Sequence, residues 1–327
     1  MAHEIDKSNN RNNMAFVGET PWHGLGQQLS EEASIDVWKQ EAGMEWEAIA
    51  TPVRYGVPTD TGEELLTFDG RVVIRRSDTR APLSIVSNRY KIFQPGQVLE
   101  FFRDLTEQYG FKMETAGCLL GGTKVWGLAK VDDNIDLGGD VVKRYLLVAT
   151  SYDASTPTIV KQTSVRVVCN NTLEVGLTSH TGKAFDSIAH NTFVDTDAIK
   201  TKMVLDDNWS VFRDTLVKLA EKKMSDSAAE MYFADIFFDK MEETERAGSK
   251  AVQRRVDEMM SYFHRAPGND LPSAQNTAWG AVNAMTYYTD HQAKSKSDDA
   301  RLNKAWFGDN LVLKTKAFNR ALQFAGI

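Results

Sequence analysis

The clearest fold signal in the sequence is KRYLLVATSYDASTPTIVKQTSVRVVC, residues 143–169. It holds two runs of β-branched, apolar and aromatic residues, and the cluster YDASTP between them is typical of a turn. We therefore predict two strands joined as a hairpin. Alternation places Val165 and Val167 on one face of the second strand. Arg166 and Asn170 fall on the other face, where a cation and an amide meet the end of the strand.

The sequence on the N-terminal side repeats the strand pattern. Residues 46–93 and 112–131 contain further β-branched and aromatic runs, with a turn predicted at FDG, residues 68–70. One helix is inserted at residues 94–110, because Pro95 is suited to begin a helix and Gly110 to end it. From about residue 202 onward, apolar residues recur at helical spacing. This order predicts an α+β fold, with a curved antiparallel sheet followed by a helical C-terminal half.

Three regions follow from this pattern. Residues 1–45 are predicted to form an N-terminal arm and loop, residues 46–180 an antiparallel sheet core with one helix, and residues 181–327 a helical region. Residues 1–20 within the first region are expected to be a polar arm. At the second boundary, Asn171 is followed three residues later by Glu174, which predicts a helix N-cap with a capping box.

Composition narrows the class of protein. Hydrophobic residues make up 42% and charged residues 25% of the 327 residues, which is ordinary for a globular chain. No run approaches the roughly 20 apolar residues of a membrane span, and the polar N-terminus is unlike a signal peptide, so a cytoplasmic protein is expected. A net charge of −7 argues against a protein that coats nucleic acid with its whole surface. A local basic groove remains compatible with it.

No motif predicts an enzyme, a metal site or a bound cofactor. GGTKVWG, residues 121–127, lacks the spacing of a phosphate-binding loop and is predicted to be a hairpin turn. The two cysteines are expected to be buried and reduced, although Cys169 with His180 or His190 could form a nucleophile pair. An active site assembled from distant residues such as His23, Asp153 and His180 remains an alternative.

Basic and aromatic residues of the predicted strands indicate a possible ligand. Cations that hold a phosphate backbone and rings that stack on bases are what single-stranded nucleic acid requires. The alternative is that these are ordinary solvated residues of a half-buried sheet. The predicted nucleic-acid-binding residues are Lys124, Trp126, Lys143, Arg144, Tyr152, Lys161, Arg166 and Asn170.

Five motifs carry a family resemblance. They are TPWHGLG (20–26), YKIFQPGQVLEFFRDL (90–105), SYDASTPTIVKQTSVRVVCNNTL (151–173), NTAWGAVNAMTYYTDH (276–291) and RLNKAWFGDNLVLKTKAF (301–318). In this order and spacing they resemble the phage/plasmid-like protein family known as domain of unknown function nine-three-two. The resemblance implies a setting in a bacteriophage, prophage or plasmid, and it carries no catalytic residues. The chain departs from the family in LTSHTGKAFDSIAHN (177–191), where a more basic stretch is expected.

A looser similarity concerns the order of elements. A helix, an antiparallel meander and a long helix are similar to the core of phage single-strand annealing proteins of the Red-beta and Erf groups. Together these observations predict a non-catalytic single-stranded DNA binding or annealing protein, acting in recombination or replication as a homo-oligomer without a cofactor. The alternative is an acidic interaction protein that inhibits or redirects a host defence or restriction factor.

Overall fold

A computed structural model gives the fold, and it describes residues 5–18, 25–166, 171–174, 187–192, 195–199, 208–294 and 308–327. By its internal contacts the chain divides into two compact units. Unit 1 comprises Met1–Val131, Leu146–Lys161 and Lys183–Leu205, and unit 2 comprises Asp132–Tyr145, Gln162–Gly182 and Asp206–Ile327. The division into residues 1–45, 46–180 and 181–327 that the sequence predicts stays a prediction.

Strands occupy the first part of the chain and helices the second. The strands are β1 (Met14–Val17), β2 (Gln27–Leu29), β3 (Ala48–Thr59), β4 (Gly62–Arg76), β5 (Pro82–Ser87), β6 (Lys112–Leu119), β7 (Lys124–Asp136), β8 (Val141–Ser151), β9 (Thr158–Arg166), β10 (Asn171–Glu174) and β11 (Ser187–Ile188). The helices are α1 (Ile35–Glu41), α2 (Pro95–Tyr109), α3 (Asn208–Glu221), α4 (Asp226–Phe238), α5 (Glu243–Gly248), α6 (Lys250–Arg265), α7 (Ala278–Tyr287) and α8 (Asp309–Ala325). The predicted α+β class is confirmed.

The strands form two sheets, whereas the sequence predicted one. The large sheet has the order β10-β9-β8-β7-β6-β1-β2, with β11 also paired to β9, and the small sheet has the order β3-β4-β5. β1 pairs in parallel with β2 and antiparallel with β6, so the large sheet is mixed at that edge. Sequence reading missed β1, because the four residues Met14–Val17 lie in an otherwise polar segment and become a strand only by pairing with β6.

Helix α2 packs against strand β7 within unit 1. Pro95 begins it, and Gly110, with a φ of 70°, ends it in the left-handed conformation, as the sequence predicted. Its buried face includes Leu99 and Phe102. A Cβ atom at Gly127 in β7 would lie 2.8 Å from Cε2 of Phe102, so glycine is what allows the helix to approach the strand.

The helix cap predicted at Asn171 is wrong. Asn171 pairs with Arg166 and Glu174 pairs with Thr163, so residues 171–174 continue the chain as strand β10 antiparallel to β9. A ladder of backbone hydrogen bonds along the edge of β9 outweighs a local capping signal, since pairing satisfies the exposed backbone groups of both strands. Residues 175–177, where the helix was predicted to continue, lie outside the described residues.

Unit 2 has a helical core. Trp209, Phe212, Leu216 and Leu219 of α3 are buried at helical spacing, as predicted. Hydroxyl side chains of Ser225, Ser249 and Thr277 accept hydrogen bonds from backbone N–H groups at the starts of α4, α6 and α7. None of the helices in the described part of the chain has the length and apolar character that a membrane span requires.

Candidate nucleic-acid interface

The two aromatic residues predicted to stack on bases belong to the core of unit 1. Tyr152 is fully buried, and its hydroxyl donates a hydrogen bond to the carbonyl oxygen of Phe93 at 3.1 Å. Trp126 is also buried, and its indole N–H donates to Oγ1 of Thr115 at 3.4 Å. Neither ring is open to a base, so the structure assigns both rings to packing. The physical reason is that alternation separates two faces of a strand without showing which face is covered.

Arg144 has partners within unit 2. Its Nε donates to Oε1 of Gln162 at 3.1 Å, its Nη1 lies 3.6 Å from Oδ2 of Asp133, and its guanidinium lies 5.2 Å from the ring centroid of Trp209. Arg144 is therefore held by an amide, a carboxylate and a ring. A phosphate would have to compete with these contacts.

The other predicted cations have varied positions. Lys124 is buried, whereas Lys143 and Lys161 are half-buried. Arg166 is the last residue of β9, but its side chain lies outside what the structure describes, as does all of Asn170. Lys124, Trp126, Tyr152 and Lys161 belong to unit 1, and Lys143, Arg144, Arg166 and Asn170 belong to unit 2. Neither unit by itself holds all eight residues.

Asp153, the one described member of the alternative active site, builds a turn. Its Oδ1 accepts the backbone N–H of Ser155 at 2.9 Å. Burial acts to raise the pKa of Asp153, but hydrogen bonds from Ser155 and Ser151 outweigh it and the pKa lies below its usual value. The neighbouring ring pair is Tyr90 and His190, stacked with centroids 4.3 Å apart. His23, His180 and Cys169 lie outside the described residues.

The small sheet has an inner and an outer face. Directly opposite residues of paired strands lie on the same face, and the face changes with each residue. Ala48, Ile74, Arg76 and Val86 are buried on the inner face. We call the other side the outer face. It comprises Ile49, Thr51, Val53, Tyr55 and Val57 of β3, Glu64, Leu66, Phe68, Arg71, Val73 and Arg75 of β4, and Ile85 of β5.

The outer face exposes large apolar and aromatic side chains. The exposed fraction is 47% for Tyr55, 52% for Phe68 and 61% for Ile85. Isolated exposed apolar residues are common, but a row of them on one sheet face marks an interaction surface. These residues are therefore the strongest candidates in unit 1 for contact with a planar or apolar ligand.

A bulge in β4 shapes the middle of the outer face. Pro52 pairs with Val72 and Arg54 pairs with Thr67, so the four residues 68–71 of β4 stand opposite Val53 alone. The turn predicted at residues 68–70 is thus a bulge inside a strand, with Gly70 at a φ of 80°. The extra residues bring Phe68 and Arg71 to the centre of the face.

Arginines surround these rings. Arg54, Arg71, Arg80 and Arg89 are exposed, and within the described residues none of them has an acidic partner. Arg75 is half-buried and donates from Nε to Oγ1 of Thr51 at 3.0 Å. Residues 48–91 contain seven Lys and Arg and five Asp and Glu, so the segment carries a formal charge of +2 in a chain of −7.

Arg76 lies on the inner face and, unlike the exposed arginines, is buried with acidic partners. Its Nε and Nη2 donate to the carboxylate of Asp78 at 2.9 and 2.7 Å, and its Nη1 donates to Asp6. The guanidinium lies 4.5 Å from the ring centroid of Trp46. Burial acts to lower the pKa of Arg76, but the two carboxylates raise it above its usual value. Arg76 thus belongs to a buried ion cluster, whereas Arg71 on the same strand has no acidic partner in the part of the chain that the structure describes.

The comparisons with known proteins give one match. Residues 82–306 match the family described as Domain of unknown function (DUF932). This chain belongs to that family. The searches of curated proteins and of solved structures found no significant match. The DUF932 match begins at the first residue of β5, so β3, β4 and most of the outer face precede it.

Sequence reasoning missed Tyr55 and Phe68 as binding candidates. A signal exists: Ile49, Val53 and Val57 alternate with small or polar residues along β3. That alternation predicts a buried face, however, whereas Tyr55, Phe68 and Ile85 are exposed on this side of the sheet. Sequence reading alone would therefore have placed these residues in the core.

Proposed function

We propose that this protein binds single-stranded DNA on the outer face, as a non-catalytic binding or annealing protein in recombination or replication in the cytoplasm of a host cell. The observation that supports it is the exposure of Tyr55 and Phe68 on the same face as Arg71, an arginine without an acidic partner among the described residues.

The chemistry of the face suits a single strand better than a duplex. Stacking of an unpaired base on an aromatic ring contributes about 1–3 kcal/mol and does not depend on the base. A duplex keeps its base faces stacked on one another, so these rings would contact only its backbone. Arginines beside the rings bind phosphates and make binding dependent on salt. Eight residue steps from Ile49 to Val57 make the face about 26 Å long.

The test measures the anisotropy of a labelled oligo(dT) strand at low salt. We expect Tyr55→Ala and Phe68→Ala each to weaken binding by about 5- to 100-fold, because each removes a stacking platform. Arg71→Ala should reduce the slope of log K against log salt by about 0.7, the value of one lost phosphate contact on a single strand.

Tyr109→Ala is the matched control, since Tyr109 is an equally exposed tyrosine at the end of α2. It should leave binding unchanged. The absence of binding at low salt with several strand lengths would refute the proposal, and so would an equal loss in Tyr55→Ala and Tyr109→Ala.

A groove in unit 2 favours the alternative, an interaction with a host protein. It has a volume of about 960 Å³ and is lined by residues of α4, α5, α6 and α8, including Met231 and Tyr232. Met231 is exposed, and flexible methionines suit protein surfaces. One stoichiometric host partner captured by the chain, together with no affinity for DNA, would select this alternative.

A further inference from the structure

The outer face has opposite charge at its two ends. Val57 pairs with Glu64 at the end near the hairpin tip, and Ile49 pairs with Arg75 at the other end. Val53 lies in β3 midway between Val57 and Ile49, four residues from each of them, and opposite the bulge of β4. Glu64 is exposed, and Nη2 of Arg75 has no hydrogen-bond partner among the described residues. The two pairs that contain Glu64 and Arg75 therefore lie about 13 Å along β3 to either side of Val53.

Apolar residues lie between these charges, on both sides of Arg71 at the centre of the face. Tyr55 pairs with Leu66 two residues from Val53 on one side, and Thr51 pairs with Val73 two residues away on the other. A rotation by 180° about an axis that lies parallel to the sheet and crosses the strands at Val53 places a second copy face to face with the first and exchanges the two ends. The ends of the face are thus complementary, with acid meeting base at both ends and apolar side chains meeting between them, while the two Arg71 residues come together near the axis and weaken the contact.

We propose that a second copy of this chain docks on the outer face through a two-fold axis at Val53, with Glu64 of each copy paired to Arg75 of the other. Such an interface is isologous, so each contact occurs twice. The inference rests on the proposed function in one respect: it gives an interface to the homo-oligomer, and DNA and the second copy compete for the same rings.

Docking by faces is favoured over strand addition to the β3 edge of the sheet. β3 is an edge strand, and Pro52 and Pro58 within it have no backbone N–H to offer another strand. Strand addition to β3 would therefore lose hydrogen bonds at two positions. The side chains of the outer face carry no such obstacle.

The size of the face sets the strength of the dimer. A surface of about 26 Å by 10–14 Å is well below the roughly 800 Å² per partner of a standard stable interface. The dimer should therefore be weak, with a Kd of about 10–100 µM, and a DNA strand that stacks on the rings should be able to displace the second copy.

The first test is sedimentation velocity over a range of protein concentrations. Glu64→Arg and Arg75→Glu should each weaken the dimer about tenfold or more, because each places like charges together at both ends of the interface. The double variant Glu64→Arg with Arg75→Glu should restore dimerisation to within about threefold, since it exchanges the signs. Thermal unfolding of each variant establishes that it folds.

Glu63→Arg is the matched control. Glu63 neighbours Glu64 but lies on the opposite face, where its side chain covers Gly56. The control should dimerise like the unchanged chain. A chain that stays monomeric at 200 µM would overturn the proposal, as would a double variant no better than the single ones or a control as weak as Glu64→Arg.

Addition of oligo(dT) separates this inference from the proposed function. Release of monomers on DNA binding supports both. A second outcome is that the chain does not bind DNA, but its dimer is weakened by the single charge variants and restored by the double variant. This outcome supports the interface and refutes the DNA proposal. DNA binding by a chain that is monomeric at every concentration refutes the interface alone.

Discussion

Trp126 and Tyr145 in the large sheet, and Tyr152 directly after its strand β8, are buried, whereas Tyr55 and Phe68 in the small sheet lie in solvent. Arginines follow the same division. Arg144 and Arg76 have acids and rings as partners, while Arg71 is exposed without an acidic partner among the described residues. The residue types are the same in both groups. The difference is whether other elements cover the face on which the residue lies, and this decides whether a ring packs or binds.

The largest effect should come from the two arginines of β4 that lie on opposite faces. Arg76→Ala should destabilise the fold by about 3–5 kcal/mol, because it leaves the carboxylates of Asp6 and Asp78 without their counter-charge. Arg71→Ala should change stability by less than about 0.5 kcal/mol. Urea unfolding measures both, and equal losses would contradict the division into inner and outer faces.

The next prediction concerns the covered face of β7. Gly127→Ala should destabilise the fold by about 1–3 kcal/mol, because the new methyl group would meet the ring of Phe102. Gly248→Ala is the control, since its Cβ would meet nothing within 4 Å. Thermal unfolding compares the two variants. A neutral Gly127→Ala would show that α2 does not pack on β7 as described.

A third prediction compares the buried Tyr152, which directly follows β8, with the exposed Tyr55 of the small sheet. Tyr152→Phe should destabilise the fold by about 1–2 kcal/mol, because the buried carbonyl oxygen of Phe93 loses its donor, and it should leave oligo(dT) binding unchanged. Tyr55→Phe should leave stability unchanged and retain the ring for stacking. Unfolding and anisotropy measurements on both variants check this. Loss of DNA binding in Tyr152→Phe would show that Tyr152 belongs to the binding site.

The smallest effect should come from the exposed ion network of α2. The hydrogen bond from Arg103, followed by the interaction with Lys39, lowers the pKa of Glu100 from 4.5 to about 2. A carboxylate with a lowered folded-state pKa stabilises the fold above about pH 4.5, and this contribution is lost as the pH falls toward 2. Because Glu100 is 40% exposed, we expect less than about 1 kcal/mol.

Unfolding of Glu100→Gln and of the unchanged chain between pH 7 and pH 3 tests this. The difference between them should shrink as the pH falls. A difference that stays constant with pH would assign the effect to packing of the side chain instead of its charge.

The sequence predicted the elements whose signals are local. Pro95 and Gly110 mark the ends of α2, and the spacing of Trp209, Phe212 and Leu216 marks α3, because a helix is built from contacts three and four residues apart. β10 was missed because its pairing with β9 depends on the free edge of that strand. The predicted binding set included Trp126 and Tyr152 because alternation identifies two faces and leaves open which one is packed.

By itself, then, the sequence determined the α+β class, the helical C-terminal half and the kinds of residue that could hold a nucleic acid. The division of the strands into two sheets, the burial of Arg76 beside the exposure of Arg71, and the exposure of the Tyr55 and Phe68 rings on the small sheet all depend on tertiary packing. The physical reason is that local propensity acts along the chain. Burial depends on what packs against a face, and that partner is distant in sequence.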